Sequence, residues 1–128
     1  MSRVLHMEGY RDLRTLVRFA LSFHGLEVIG VGDGETGIEK LANSDFDAII
    51  LTQETPLKTG HAVLEWIAAN RPHLLSRVVF TIGSPSTPEL DRELAKLRIP
   101  VFPKPFSAPD LTQRIKSVAG DKNGHSAA

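Results

Sequence analysis

Two hydrophobic periods alternate along the chain. Short apolar runs bounded by polar or turn-forming residues are typical of strands that are buried on both faces. Between them lie segments in which apolar residues recur every three or four positions, which is the period of an amphipathic helix. The pattern predicts five strands, at residues 3–7, 26–31, 47–51, 77–82 and 99–102.

The segments between the strands predict five helices, at residues 11–25, within 32–44, and at 60–72, 86–97 and 107–120. Gly25 is expected to end the first helix, and Thr87 and Ser107 are expected to cap the last two. Helical spacing predicts that the first helix faces the core with Leu13, Leu16, Val17, Ala20 and Phe23.

Alternating strands and helices of these lengths require crossover connections, and crossovers produce a parallel sheet with helices on both faces. The sequence therefore predicts an α/β fold, a flavodoxin-like (βα)5 three-layer sandwich with strand order 2-1-3-4-5. We expect one domain over residues 1–120 and a polar, disordered tail over residues 121–128.

Composition narrows the class of partner. Lys plus Arg and Asp plus Glu both number 15 in this chain of 128 residues, so the formal charge is zero. This balance gives no electrostatic reason to expect nucleic acid or a membrane surface as a partner. The chain has no Cys, its first residues are too polar for a signal peptide, and no apolar run is long enough for a membrane helix. A cytoplasmic location is the expectation.

Ligands of open α/β sheets bind outside the carboxyl ends of the strands, where the strand order reverses. Here that point lies between the first and third strands. Glu8 and Gly9 follow the first strand, Thr52 and Glu54 follow the third, and Lys104 follows the fifth. Because no glycine-rich phosphate loop is present, nucleotide binding of the Rossmann kind is disfavoured.

Four segments in this order resemble the receiver domain of bacterial two-component response regulators, the chemotaxis type. The segments are "RVLHMEGYRDLRTLV", "DFDAIILTQETPLKTG", "VVFTIG" and "KPFSAPDL". The resemblance spans about residues 3–120, nearly the whole chain. It implies a domain in which an Asp ending the third strand accepts a phosphoryl group from a sensor kinase, with Mg²⁺ held by acidic residues and a Lys on the phosphoryl oxygens.

At these functional positions the sequence departs from the pattern that the resemblance implies. Thr52 stands at the phosphoacceptor position, and Glu8 and Gly9 stand at the acidic pair. Ile82 and Val101 stand at the switch positions that carry a hydroxyl and an aromatic ring in the family. Thr81 and Phe102 are each one residue out of phase, and Thr81 is expected to point to the opposite face. Among these positions, only Lys104 is the residue type that the resemblance implies.

These substitutions change the expected chemistry. A Thr hydroxyl carries no charge and needs a general base before it can act as a nucleophile. Mg²⁺ prefers several hard oxygen ligands, and only Glu8 and Glu54 remain as carboxylates, so we expect no cofactor. Lys104 then has little negative charge to meet other than Glu8, and the sequence predicts a salt bridge between these two residues.

Two residues outside this site also call for interpretation. His6 lies within the first strand at a core position and is predicted to be a hydrogen-bonded core histidine. Trp66 lies in the third helix, where it is either an exposed anchor for a partner or a ring that lies flat over its own helix.

The resulting hypothesis is a degenerate receiver, or pseudo-receiver, that signals by protein–protein contact and is not an enzyme. The alternatives are a receiver that accepts a phosphoryl group at a residue other than Asp, and a receiver fragment of a hybrid sensor kinase. Expected partners are signalling proteins, such as a histidine kinase or another regulator. A homodimer is also considered, through the face of the fourth helix, fifth strand and fifth helix, whose charges include Arg92, Lys96 and Arg98.

Overall fold

The computed structural model describes residues 2–83 and 85–123. Within them the strands are β1 (Arg3–Met7), β2 (Glu27–Val31), β3 (Ala48–Thr52), β4 (Val78–Ile82) and β5 (Val101–Pro103). The helices are α1 (Arg11–Phe23), α2 (Gly34–Asn43), α3 (Gly60–Asn70), α4 (Pro88–Lys96) and α5 (Ala108–Asn123), and a 3₁₀ helix spans Pro72–Arg77. None of these helices is both long and apolar enough to cross a membrane.

The strands form one parallel sheet in the order β2-β1-β3-β4-β5, so the predicted fold class and strand order are confirmed. Helix α5 runs to Asn123, past the predicted domain boundary at residue 120. Residues 124–128 of the predicted tail lie outside the described part of the chain.

Each face of the sheet carries its own hydrophobic cluster, because successive side chains of a strand point to opposite faces. On one face, α1 and α5 cover the sheet, and the buried residues are Val4, Val17, Leu21, Leu26, Ala48, Ile50, Val79, Leu111 and Ile115. On the other face, α2, α3 and α4 cover the sheet through Leu41, Val63, Leu64, Ile67, Leu90 and Leu94. We call these the α1/α5 face and the α2/α3/α4 face.

Capping explains where most helices begin and end. Asp33, Thr59 and Thr87 accept hydrogen bonds from backbone N–H groups in the first turns of α2, α3 and α4, which satisfies donors that have no partner inside the helix. Gly25 follows α1 with a φ of 83°, the left-handed conformation that glycine adopts without strain, as the sequence predicted.

The start of α3 is held close to the end of β3. A Cβ atom at Gly60 would lie 2.6 Å from the carbonyl oxygen of Thr52, a separation that no side chain tolerates. Glycine is therefore required at this position, and it lets the first turn of α3 pack against the strand that carries the candidate site.

Candidate functional site

The candidate site lies at the carboxyl edge of the sheet, at the predicted point between β1 and β3. Thr52 is the last residue of β3, and Thr81 is its direct partner in the parallel register of β4. Glu8 follows β1, and Lys104 follows β5. The topology therefore brings together four side chains that are distant in sequence.

An ion pair occupies the centre of this site. Lys104 Nζ lies 2.7 Å from Glu8 Oε1, and the exposed fractions of the two side chains are 17% and 1%. The second carboxylate oxygen of Glu8 accepts a hydrogen bond from the backbone N–H of Tyr10 at 3.0 Å. The salt bridge predicted from the sequence therefore forms, and it leaves the carboxylate almost without access to water.

Two threonine hydroxyls extend the polar network into the sheet. Thr52 Oγ1 donates to Glu8 Oε1 at 3.2 Å, because an ionised carboxylate only accepts. Thr81 Oγ1 lies 2.7 Å from Thr52 Oγ1, and the two hydroxyls share a hydrogen bond in which either can be the donor. Hydrogen bonds therefore connect Thr81 to Thr52, Thr52 to Glu8, and Glu8 to Lys104.

The position of Thr81 corrects the sequence interpretation. We expected Thr81 to point to the face opposite the site, with Ile82 at the switch position. Instead, Thr81 pairs directly with Thr52, and side chains paired in this way project from the same face of the sheet. Thr81 therefore belongs to the site and supplies a hydroxyl beside the phosphoacceptor position.

The two apolar residues at the switch positions do not form a packed pair. Ile82 is buried in the cluster on the α2/α3/α4 face, but Val101 is 42% exposed on the edge strand β5. The neighbouring Phe102 packs on the α1/α5 face instead. Val101 is therefore exposed at the switch position where the family carries an aromatic ring.

Other predicted site residues border the ion pair. The carboxylate of Glu54 accepts a hydrogen bond from the backbone N–H of Gly83 at 3.0 Å. Gly9 is exposed and supplies no side chain, and a Cβ there would meet Pro56 Cδ at 3.3 Å. The Lys104–Pro105 peptide bond is cis. Among these groups, only Glu8 directs a carboxylate into the buried part of the site.

Solved structures share this architecture over nearly the whole chain. A receiver domain (CheY-like) from Methanospirillum hungatei JF-1 covers 96% of the chain and is itself covered to 97%, with a TM-score of 0.85 at 20% identity. The signal receiver domain of a putative Luxo repressor protein from Vibrio parahaemolyticus covers 95% of the chain and is covered to 92%, with a TM-score of 0.82 at 22% identity. At these identities the likeness establishes the fold.

Sequence similarity points the same way. The transcriptional regulatory protein CpxR of Escherichia coli (strain K12) is 31% identical over 122 residues, which is 92% of this chain. The protein of the same name from Shigella flexneri matches equally well. The chain has the fold of a receiver domain, and we call it the receiver-like domain. No protein-family model matches it. The receiver-like domain spans about half of these curated relatives, 49% of their length.

Beneath the ion pair, the receiver-like domain buries a histidine without a hydrogen bond. His6 is fully buried in β1, and neither ring nitrogen has a partner among the described residues. Burial, with smaller contributions from the charges of Lys104 and Arg14, lowers the pKa of His6 from 6.5 to about 3. The core position is therefore as predicted, but the predicted hydrogen bond is absent, and the ring is neutral at physiological pH.

Trp66 of the receiver-like domain is half-buried and packs against the cluster on the α2/α3/α4 face. The reading of Trp66 as an exposed anchor is therefore wrong in part, because much of the ring is already covered. Arg92, Lys96 and Arg98, by contrast, are exposed as expected.

Among the described residues, the two most exposed apolar side chains, Phe19 and Phe23, lie on α1, part of which was predicted to face the core. Val17 and Leu21 face inward, whereas Leu16, Phe19 and Phe23 are 54%, 77% and 88% exposed. With the first turn of α5 they line an apolar groove of about 490 Å³, formed by Leu16, Phe19, Ala20, Phe23, His24, Ala108, Pro109 and Thr112. In the sequence, Phe19 and Phe23 are additional to the apolar residues Val17 and Leu21 that face inward. This excess of apolar residues on one helix is the pattern that could have indicated the exposed surface.

Proposed function

We propose that this receiver-like domain is a signalling module of the two-component type that acts by protein contact and does not transfer a phosphoryl group. The observation that carries the proposal is the buried Glu8–Lys104 ion pair at the site where a receiver would hold its phosphoryl group. The lysine already has an anionic partner, so the site has the charge pairing of an occupied pocket without a phosphate.

Thr52 is poorly suited to accept a phosphoryl group. An aspartate is anionic at neutral pH, whereas a threonine hydroxyl requires a base and access to the donor. Thr52 is completely buried, and its oxygen is engaged by both Glu8 and Thr81. A phosphoryl donor would have to displace these contacts before it reached the oxygen.

The same residues do not suit Mg²⁺. The ion takes near-octahedral oxygen ligation, mostly from carboxylates and water. Gly9 offers no side chain, Thr52 is neutral, and Glu8 is bonded to an ammonium group, so its Oε1 faces a cation at 2.7 Å. We therefore propose that the domain works without a metal at this site.

One contact supports the alternative of a receiver with an unusual acceptor. Glu8 Oε1 lies 3.2 Å from Thr52 Oγ1, within the reach of a general base. This alternative requires the Glu8–Lys104 pair to open and expose Thr52, which makes it the second candidate.

We expect no phosphorylation of the wild-type chain by acetyl phosphate with Mg²⁺. The physical reason is the neutral, buried acceptor, and the measurement is intact mass after incubation. A receiver with an Asp at this position serves as the positive control under identical conditions. A mass gain of one phosphoryl group that Thr52→Ala abolishes would support the unusual acceptor and refute our proposal.

For the partner surface we propose the groove between α1 and α5. An exposed apolar patch of this kind marks an interaction site, and aromatic side chains are frequent anchors of interfaces. The opposite flank of α1 is basic, with Arg11, Arg14 and Arg18 lining a second pocket beside Gly30. An amphipathic helix with apolar and acidic residues complements both flanks, and a histidine kinase or another regulator can supply such a helix.

The face formed by α4, β5 and α5 remains a prediction for a homodimer. Its exposed charges, Arg92, Lys96 and Arg98, are accompanied by the exposed side chain of Val101. Because the chain spans about half of CpxR, the transcriptional role in that protein's name is not carried over, and a receiver within a hybrid sensor kinase remains an alternative context.

Replacing Phe19 and Phe23 by Ser is expected to weaken partner binding about tenfold or more while changing unfolding free energy by less than about 1 kcal/mol, because both rings are largely exposed. Binding to candidate kinases and regulators of the source organism is measured by titration, with circular dichroism for stability. Val101→Ser is the matched control on the α4–β5–α5 face. If Val101→Ser loses binding and the variant with Ser at positions 19 and 23 keeps it, the partner binds the α4–β5–α5 face instead.

A further inference from the structure

Three metal-ligating side chains meet between α3 and α4, on the α2/α3/α4 face of the sheet. His61 lies in the first turn of α3, Glu65 follows one turn later, and Glu93 lies on α4. His61 Nε2 is 2.6 Å from Glu93 Oε1 and 3.7 Å from Glu65 Oε2, and the three ligand atoms all lie within 4.8 Å of one another.

The distances from His61 Nε2 to the two carboxylate oxygens are similar to the ligand–ligand distance in a zinc site. Two ligands at about 2.0–2.1 Å from Zn²⁺ and at a tetrahedral angle are about 3.3 Å apart. The two nitrogen–oxygen distances of 2.6 and 3.7 Å fall on either side of that value. The separation between the two carboxylate oxygens is within 4.8 Å, so the three atoms lie close enough for side-chain rotations to bring them around one ion.

The surroundings support a site that is held in place yet open to solvent. The backbone N–H of His61 donates to Gln53 Oε1 at 2.8 Å, which ties the histidine to the loop after β3. The side chains of His61 and Glu93 are 25% and 28% exposed, so both are partly fixed by packing, whereas Glu65 is 65% exposed. Water can reach the fourth position of a tetrahedral ion.

The ligand chemistry favours zinc over magnesium. Imidazole nitrogen with two carboxylates is a ligand set that zinc accepts, whereas Mg²⁺ prefers oxygen ligands and retains its water. Without metal, Nε2 of His61 carries the proton that it donates to Glu93, since a carboxylate only accepts. On metal binding that proton moves to Nδ1 through solvent, and the Nε2 lone pair becomes available to the ion.

We propose that His61, Glu65 and Glu93 form a binding site for one Zn²⁺ ion that links α3 to α4. The site shares no residue with the Glu8–Lys104 pair. A zinc ion bound there would link α3, which follows the candidate-site strand β3, to α4, which precedes β5. Zinc would therefore stiffen the α3–α4 part of the domain.

The test is calorimetric titration of the tag-free chain with zinc chloride, together with thermal unfolding in zinc and in magnesium. We expect one saturable zinc site, a higher Tm with zinc and no such rise with magnesium. His61→Ala and Glu93→Gln should each lower zinc affinity about tenfold or more. His73→Ala and Glu89→Gln, which remove exposed groups outside the cluster, should leave affinity unchanged.

Glu65→Gln separates metal binding from folding. This side chain is largely exposed and its contact with His61 is the longer one, so the variant should fold with an unchanged Tm in the absence of zinc. Its affinity for zinc should nevertheless be lower than that of the wild type. The proposal is overturned if no saturable binding occurs, or if His61→Ala and Glu65→Gln bind zinc as tightly as the wild type.

Discussion

Lowering the pH from about 8 to about 5 should reduce the unfolding free energy by about 2 kcal/mol through His6 alone. The folded chain holds His6 neutral because burial, together with the charges of Lys104 and Arg14, lowers its pKa from 6.5 to about 3. The unfolded chain binds a proton at His6 as soon as the pH falls below about 6.5, so it binds more protons than the folded state in this window. Stability therefore falls as the pH drops through 6.5 and levels off only below about 3.

Urea unfolding at a series of pH values measures this effect, and His6→Leu isolates it from the titration of other groups. The variant should lose the His6 component of the pH dependence and should be at least as stable as the wild type near pH 8, because it removes two buried nitrogens without partners. His73→Leu changes an exposed histidine and should keep the wild-type profile. Equal pH dependence in the wild type and His6→Leu would contradict the assignment.

The topology and the central ion pair were predictable because each rests on a robust signal. Alternating hydrophobic periods determine the order of strands and helices, and a parallel sheet brings the ends of its strands to one edge. Glu8 follows the first strand and Lys104 follows the fifth. Within the predicted site, Glu8 was the carboxylate best placed to pair with the lysine. Charge pairing across that edge followed from the topology.

The outward face of α1 was not predictable from spacing alone. The helix carries two apolar stripes at helical spacing, one with Val17 and Leu21 and one with Leu16, Phe19 and Phe23. Both satisfy the same periodicity, and only the packing of α1 against α5 and the sheet decides which stripe is covered. The larger side chains remain outside, and for that reason the sequence interpretation assigned part of the partner surface to the core.

Thr81 was missed for a different reason. The run at residues 77–82 is apolar at nearly every position, so its pattern does not show which of its side chains point to the site. A shift of one residue within a strand, however, reverses the face to which every side chain points. The pairing of Thr81 with Thr52 resolves the register and adds a second hydroxyl to the site.

Replacing Lys104 by Met should destabilise the domain by about 3–5 kcal/mol, because it leaves a buried carboxylate without its cation. The side chain of Glu8 is 1% exposed, whereas that of Lys104 is 17% exposed. We therefore expect Glu8→Gln to cost less than Lys104→Met, since the unpaired lysine can extend its ammonium group towards solvent. Chemical unfolding of both variants measures the difference.

The double variant Glu8→Gln/Lys104→Met should recover most of the loss, because no buried charge then remains unpaired. Lys96→Met is the matched control, since it removes an exposed lysine of α4 and should change stability by less than about 0.5 kcal/mol. A cost below about 1 kcal/mol for Lys104→Met would mean that the pair behaves as a surface contact. In that case Lys104 would be free to meet an incoming phosphoryl group, and the site would not be permanently paired.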